Sequence, residues 1–193
     1  NFDLSSFKNL PFEDNRFEGV YTSHCLEHLT DKNVNFVISE VFRVLKTGGV
    51  FRITVPDISK YFDAYDRKDL HFFNWIRNKM PYLYDSWLRF ITREFAGNVV
   101  DDFSDIELEQ KYKTLGRKNY CDYFGKLSNE NTDKNRNIPD IHKSYWDIEK
   151  MGNAFKNVGF KNTYERKQFD GSIDYFVNKS NTMFNSTRPN ISL

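Results

Sequence analysis

Apolar positions along the chain change their period several times, and each change marks an element. Phe17-Glu18-Gly19-Val20-Tyr21-Thr22 is β-branched and aromatic and follows the turn-forming Glu13-Asp14-Asn15, which predicts a short buried strand ending near Ser23. Between Asn33 and Leu45 the apolar residues Val34, Val37, Ile38, Val41 and Leu45 recur at helical spacing, with Asp31 placed to cap the helix and Gly48-Gly49 to stop it. Val50-Phe51-Arg52-Ile53-Thr54-Val55 then alternates until Pro56 closes a second strand. It follows the first by about thirty residues, the repeat of a βαβ unit with a right-handed crossover.

Beyond Asp57, aromatic and charged residues including Tyr61, Phe62, Tyr65, Phe72, Phe73 and Trp75 predict amphipathic helices reaching to about Phe95. Residues 101–140 carry scattered charges and a polar run over 128–137 with little periodicity, and read as an irregular insertion rather than core. Regular pattern returns at Ser144-Tyr145-Trp146-Asp147, which has capping-box spacing and leads into Ile148, Met151, Phe155 and Val158 on one helical face, with Gly159 as the stop. Residues 160–169 predict a strand, and Ile191-Ser192-Leu193 the start of another. The order is that of an α/β protein, with a helical and irregular insertion over residues 58–140.

Composition narrows this picture. A chain of 193 residues that is 39% hydrophobic can bury one ordinary core, so residues 1–193 are expected to form one domain. Its 28 basic and 27 acidic side chains leave a net charge of +1, which gives no reason to expect a nucleic acid partner or an acidic membrane surface. The two cysteines, Cys25 and Cys121, are too far apart in sequence for a disulfide framework or a paired metal-ligand spacing, in keeping with a reducing, cytoplasmic setting. No apolar run reaches the roughly 20 residues that span a bilayer. The opening Asn1-Phe2-Asp3 and the ending inside a predicted strand read as cut points of a longer protein.

Four stretches in order carry a resemblance: Leu10-Pro11-Phe12-Glu13-Asp14-Asn15-Arg16-Phe17-Glu18-Gly19-Val20-Tyr21; Ser23-His24-Cys25-Leu26-Glu27-His28-Leu29; Glu40-Val41-Phe42-Arg43-Val44-Leu45-Lys46-Thr47-Gly48-Gly49; and Val55-Pro56-Asp57. Together they resemble the middle of the class I S-adenosylmethionine-dependent methyltransferases often described as type 11. The segment from His142 to Phe160 resembles that family's last helix with less specificity. The resemblance implies a Rossmann-like α/β sheet entered at about the third strand, with the insertion after the fifth and cofactor across the carboxyl ends of the strands. The family's glycine-rich loop and its ribose-binding acidic residue have no counterpart here, so the chain is expected to be a fragment, inactive alone.

On this resemblance Asp3 and Leu4 stand where the family sets an acidic side chain and a backbone amide against the adenine. An exposed aspartate near a chain end has an equally plain explanation without function. Ser23 and His24 directly follow the predicted strand and would face the methionine part of S-adenosylmethionine. His24 can position the cofactor or take a proton from the acceptor, because an imidazole titrates near neutrality. Asp57, just past Pro56, is the second candidate base, and equally a cap for the helix after it. His142 reads as a surface histidine, the alternative being a residue brought near the active-site edge by an insertion folded over it. The resemblance implies a small-molecule acceptor or a precursor of glycan synthesis, and the even charge balance gives no reason to expect a nucleic acid instead.

Two rival readings use the same residues. His24-Cys25-Leu26-Glu27-His28 also matches the His-x-x-Glu-His pattern of zinc metallohydrolases, in which Glu27 would be the base, although no third ligand is evident nearby. A non-catalytic domain that kept the methyltransferase fold without the reaction is the other, since a fold does not fix a function.

Overall fold

A computed structural model of the chain describes residues 2–73, 86–131, 141–165 and 190–192. It divides into two compact units, Asn1–Pro56 with Asp147–Leu193, and Asp57–Trp146.

The first unit is a mixed α/β layer. Strand β1 (Phe17–Ser23) pairs in parallel with β2 (Leu45–Pro56), and helix α1 (Asp31–Val44) connects them. A third strand, β3 (Asn190–Ser192), adds antiparallel to the other edge of β2, with Thr54 opposite Ser192 and Pro56 opposite Asn190. The apolar stripe expected on α1 is the face it buries: Val34, Val37, Ile38, Val41 and Val44 are all at most 6% exposed. Each such side chain contributes about 1.5–3 kcal/mol on burial. From Phe51 to Pro56 every residue of β2 is buried, as in a strand covered on both faces.

Two boundaries of α1 differ from expectation. The cap is Thr30, whose Oγ1 accepts the Asn33 N–H at 3.3 Å, while Asp31 is the first helical residue and holds Lys150 at 2.9 Å. The helix also ends before Gly48-Gly49, with extended Leu45 as its C-cap. Those glycines lie in β2, in a bulge where the pairing passes from Phe17–Leu45 directly to Gly19–Val50. Gly48 has φ +82°, and a Cβ on Gly49 would sit 2.8 Å from the Lys46 carbonyl oxygen and 3.3 Å from that of Glu18. The pair is required by the crowded bulge, not by a helix stop.

Helix α5 (Ile148–Val158) covers the same layer. Its cap is Asp147, which accepts the Lys150 N–H at 2.7 Å, rather than Ser144, whose hydroxyl accepts the Trp146 indole N–H at 2.8 Å. Gly159 ends it in the left-handed region at φ 119°, and the Phe160 N–H then bonds back to the Phe155 carbonyl at 3.2 Å. This turn sends the Phe160 ring onto Phe42 and Phe155, both at 5.0 Å. Residues 160–165 are consequently not a strand, and residues 166–169 of that expectation lie outside the described residues.

The second unit is helical. It contains α2 (Ile58–Asp66), a short 3-10 turn at Leu70–Phe73, α3 (Trp87–Ala96), a 3-10 stretch at Gly97–Asp102, and α4 (Asp105–Glu130). Its core is aromatic: Tyr61, Phe62, Phe73, Phe90, Phe95, Tyr120 and Phe124 are at most 1% exposed, with Phe62 stacked on Tyr112 at 5.3 Å. Trp75 lies outside the described residues. The irregular reading of residues 101–140 is corrected over 105–130, which form a helix begun by a Ser104/Glu107 capping box and delivering Leu108, Tyr120, Cys121 and Phe124 to the core. Gly116 (φ 72°, ψ 163°) breaks that helix in two, and the change of phase there hides its periodicity.

Candidate active site

The carboxyl end of β1 is where the first unit concentrates its chemistry. Ser23 is the last β1 residue and lies opposite Thr54, and the next N–H, that of His24, continues the ladder by donating to the Thr54 carbonyl at 2.9 Å. His24 itself adopts the left-handed conformation, φ 49°, which costs an L-residue about 1–2 kcal/mol. The chain then closes a single 3-10 turn, Leu26–His28, pinned by the fully buried Leu26.

This turn carries Glu27 back beneath His24. The Glu27 Oε1 lies 3.2 Å from His24 Nδ1, and the side chains are 2% and 19% exposed respectively. The other carboxylate oxygen, Oε2, is buried without a hydrogen-bond partner among the described residues. Burial pushes the neighbouring Cys25 thiol up, a bond to the Thr22 side chain opposes this in part, and the charge of Glu27 adds to it. Cys25 is therefore a poor nucleophile.

The segment before β1 is strapped to α1. The Leu10 N–H donates to Glu40 at 2.7 Å. Arg43 donates to the carbonyls of Leu10 and Phe12 at 3.1 and 2.9 Å and to the Asp14 carboxylate at 2.6 Å. Glu40 and Arg43 themselves join through two bonds of 2.9 and 2.7 Å. Arg43 holds the Glu40 carboxyl below its ordinary range. Sequence reasoning had not singled out this clasp or the Glu27–His24 bond. The signals were present as Glu40 and Arg43 at helical spacing and Glu27 three residues after His24.

Asp3 and Leu4 fall in a turn. The Asp3 carboxylate accepts the Ser5 N–H and hydroxyl at 2.8 and 2.7 Å, bonds that hold its pKa below the ordinary value. The Ser5 carbonyl accepts from Asn33 Nδ2 at 2.9 Å, so this turn is tied to the first turn of α1. Asp57 belongs to the second unit and caps α2: its Oδ1 accepts the Ser59 N–H at 3.0 Å and hydroxyl at 2.6 Å, and Oδ2 faces Lys60 at 3.3 Å. His142 is not a surface residue; it is 8% exposed and its Nδ1 bonds the Glu94 carbonyl.

His24, Glu27 and His28 span a 3-10 turn rather than one face of an α-helix.

Residues 1–53, which include α1, the end of β1 and most of β2, match the family model described as a methyltransferase domain. A stretch of 63 residues is 38% identical to the sterol 24-C-methyltransferase erg6 of Schizosaccharomyces pombe, covering 33% of this chain and 16% of that protein. No solved structure matches the chain. A parallel β1–β2 pair joined by α1 is consistent with part of a methyltransferase fold. No helix among the described residues is long and apolar enough to cross a membrane.

Proposed function

We propose that the protein transfers a methyl group from S-adenosylmethionine to a small-molecule acceptor, with His24 as the residue that takes the acceptor's proton. The observation that supports this most is the position of His24: directly after the carboxyl end of a parallel strand, in a segment matched to methyltransferase domains, and held there by Thr54 and Glu27. Ligands of open α/β sheets bind at such strand ends.

Ser23 and His24 would hold the methionine end of the cofactor, and Asp3 and Leu4 the adenine. The Asp3 carboxylate already sits in a hydrogen-bonded turn and is exposed, which leaves it free to accept from a ligand as well. When bound, S-adenosylmethionine supplies an electrophilic methyl group. The chain's own task is then to align the acceptor, exclude water and remove a proton where the nucleophile is a hydroxyl. Asp57 is a second candidate base, with its cap role the competing demand on the same carboxylate.

In this proposal the sheet is the Rossmann-like methyltransferase sheet from about its third strand, and residues 58–140 are an insertion within a single domain. The acceptor is a small molecule or a glycan-pathway precursor. The erg6 match shows that related sequence serves a methyltransferase whose name gives a sterol, but its short reach does not carry that acceptor over. Calorimetric titration of S-adenosylhomocysteine into this chain and into a full-length protein containing it tests the reading. Binding by the full-length protein is expected, and binding by neither overturns it in favour of a domain that kept the fold without the reaction.

A further inference from the structure

We propose that Glu27 is the positioning residue for His24: it accepts the Nδ1 proton of the imidazole and so leaves Nε2 unprotonated, ready to take the acceptor's proton. This rests on the methyltransferase reading of the same site.

Three independent observations converge on the pair. The contact is a directed one, Oε1 to Nδ1 at 3.2 Å, between a buried carboxylate and a ring that stays 19% exposed. An ion pair at the surface would place both groups in water and contribute little. Here the acid is withdrawn from water and the base is left at the boundary.

Glu27 is also an expensive residue at this place. Its Oε2 is buried without a partner among the described residues, and a carboxylate buried with one oxygen unsatisfied destabilises a fold that an apolar side chain of similar volume would suit better. Fixing the tautomer of a neighbouring base is a task that gives a carboxylate a reason to stand here.

Finally, the backbone is strained to make the contact. His24 takes φ 49°, its N–H is fastened to Thr54, and the buried Leu26 anchors the turn that brings Glu27 round. Strained backbone held by surrounding structure marks sites where geometry serves function.

The proton balance is simple. The acceptor oxygen gives its proton to Nε2 as its lone pair forms the new bond to carbon, and the electron pair of the broken sulfur–carbon bond stays on sulfur. The imidazolium that results keeps its Nδ1–H on Glu27, which stabilises the charge without taking the proton itself.

Nitrogen-15 NMR of the protein tests this, with the His24 signals assigned by their loss in His24→Asn. The wild type should show the Nδ1-protonated tautomer, and Glu27→Leu should shift His24 to the Nε2-protonated form. Glu27→Gln is the variant that threatens the fold least: it keeps an acceptor, so the tautomer should persist, but the downfield Nδ1 proton resonance should move upfield and exchange faster with water.

An unmoved resonance in Glu27→Gln, or an unmoved tautomer in folded Glu27→Leu, overturns the proposal. A divalent metal retained one per chain by the wild type and lost from Glu27→Gln overturns it too, by making Glu27 a ligand. Binding of S-adenosylhomocysteine by wild type with an unmoved tautomer removes the positioning role alone. A moved tautomer in a protein that does not bind S-adenosylhomocysteine removes the methyltransferase reading instead.

Discussion

Arg43 and Glu40, one turn apart near the end of α1, share two hydrogen bonds and together hold the backbone of Leu10 and Phe12 through three more. This clasp fixes how the chain enters β1, and therefore where Ser23 and His24 emerge at its other end. Because Arg43 depresses the folded-state pKa of Glu40, the clasp's contribution is present above the unfolded carboxyl range of about 4.3 and is lost as pH falls through the lower folded value. Glu40→Gln should lower the melting temperature by several degrees at pH 7 and flatten its decline below about pH 4.3. Thermal melts across that window, scored against wild type, check both parts.

The β2 bulge makes a second, ordered prediction. Gly48 sits in open space at φ +82°, so Gly48→Ala meets backbone strain alone, about 1–2 kcal/mol. Gly49 has no such freedom, since its new Cβ would lie 2.8 Å from the Lys46 carbonyl oxygen. Gly49→Ala should cost more than Gly48→Ala, by about 1 kcal/mol or more. Urea unfolding of the two variants measures the difference, and equal midpoints would mean the bulge relaxes.

Much of the first unit was legible because its signals are local. The α1 stripe from Val34 to Val44 is set by helical geometry and by the layer it covers, so it survives a cap that moves from Asp31 to Thr30. Gly48-Gly49 was misread because a glycine pair serves a helix end and a bulge equally well, and only the partner strand decides between them. The long helix α4 was missed because Gly116 resets its phase, so Leu108 on one side and Tyr120 with Phe124 on the other do not form one stripe. At the candidate site, the position of His24 followed from the strand before it. Its bond to Glu27 needs a left-handed residue and a 3-10 turn, neither of which residue type alone signals.

That helix α4 is core and not a loose insertion can be checked directly. Phe124 is fully buried, packed on Tyr120 at 4.7 Å and on Phe103 at 5.0 Å. Phe124→Ala should destabilise the protein by about 3–5 kcal/mol. A denaturation curve that stays within 0.5 kcal/mol of wild type, roughly the effect of a surface substitution, would contradict the assignment.

The same unit should weaken in alkali. Tyr112 donates to Asp66 at 2.8 Å, and burial followed by that bond push its hydroxyl up to about 12. A folded pKa above the unfolded value of about 10 means a contribution that is present below pH 10 and is lost as pH rises through the folded value. Tyr112→Phe should remove part of the steep alkaline loss between those values while lowering stability at pH 7. Spectrophotometric titration of the tyrosines alongside alkaline unfolding follows both effects.

Asp57 poses the sharpest choice, because one carboxylate is assigned two duties. As the cap of α2 it accepts from Ser59, a task that asparagine performs nearly as well. As a base it must accept a proton, which an amide cannot do. Asp57→Ala should cost about 1 kcal/mol of stability, whereas Asp57→Asn should leave stability almost unchanged. If Asp57 serves only as a cap, Asp57→Asn also keeps methyl transfer intact and His24 stands alone as the base. A stable Asp57→Asn protein that binds S-adenosylhomocysteine as wild type does but has lost turnover on its acceptor would assign Asp57 the chemistry, because no structural loss remains to explain it.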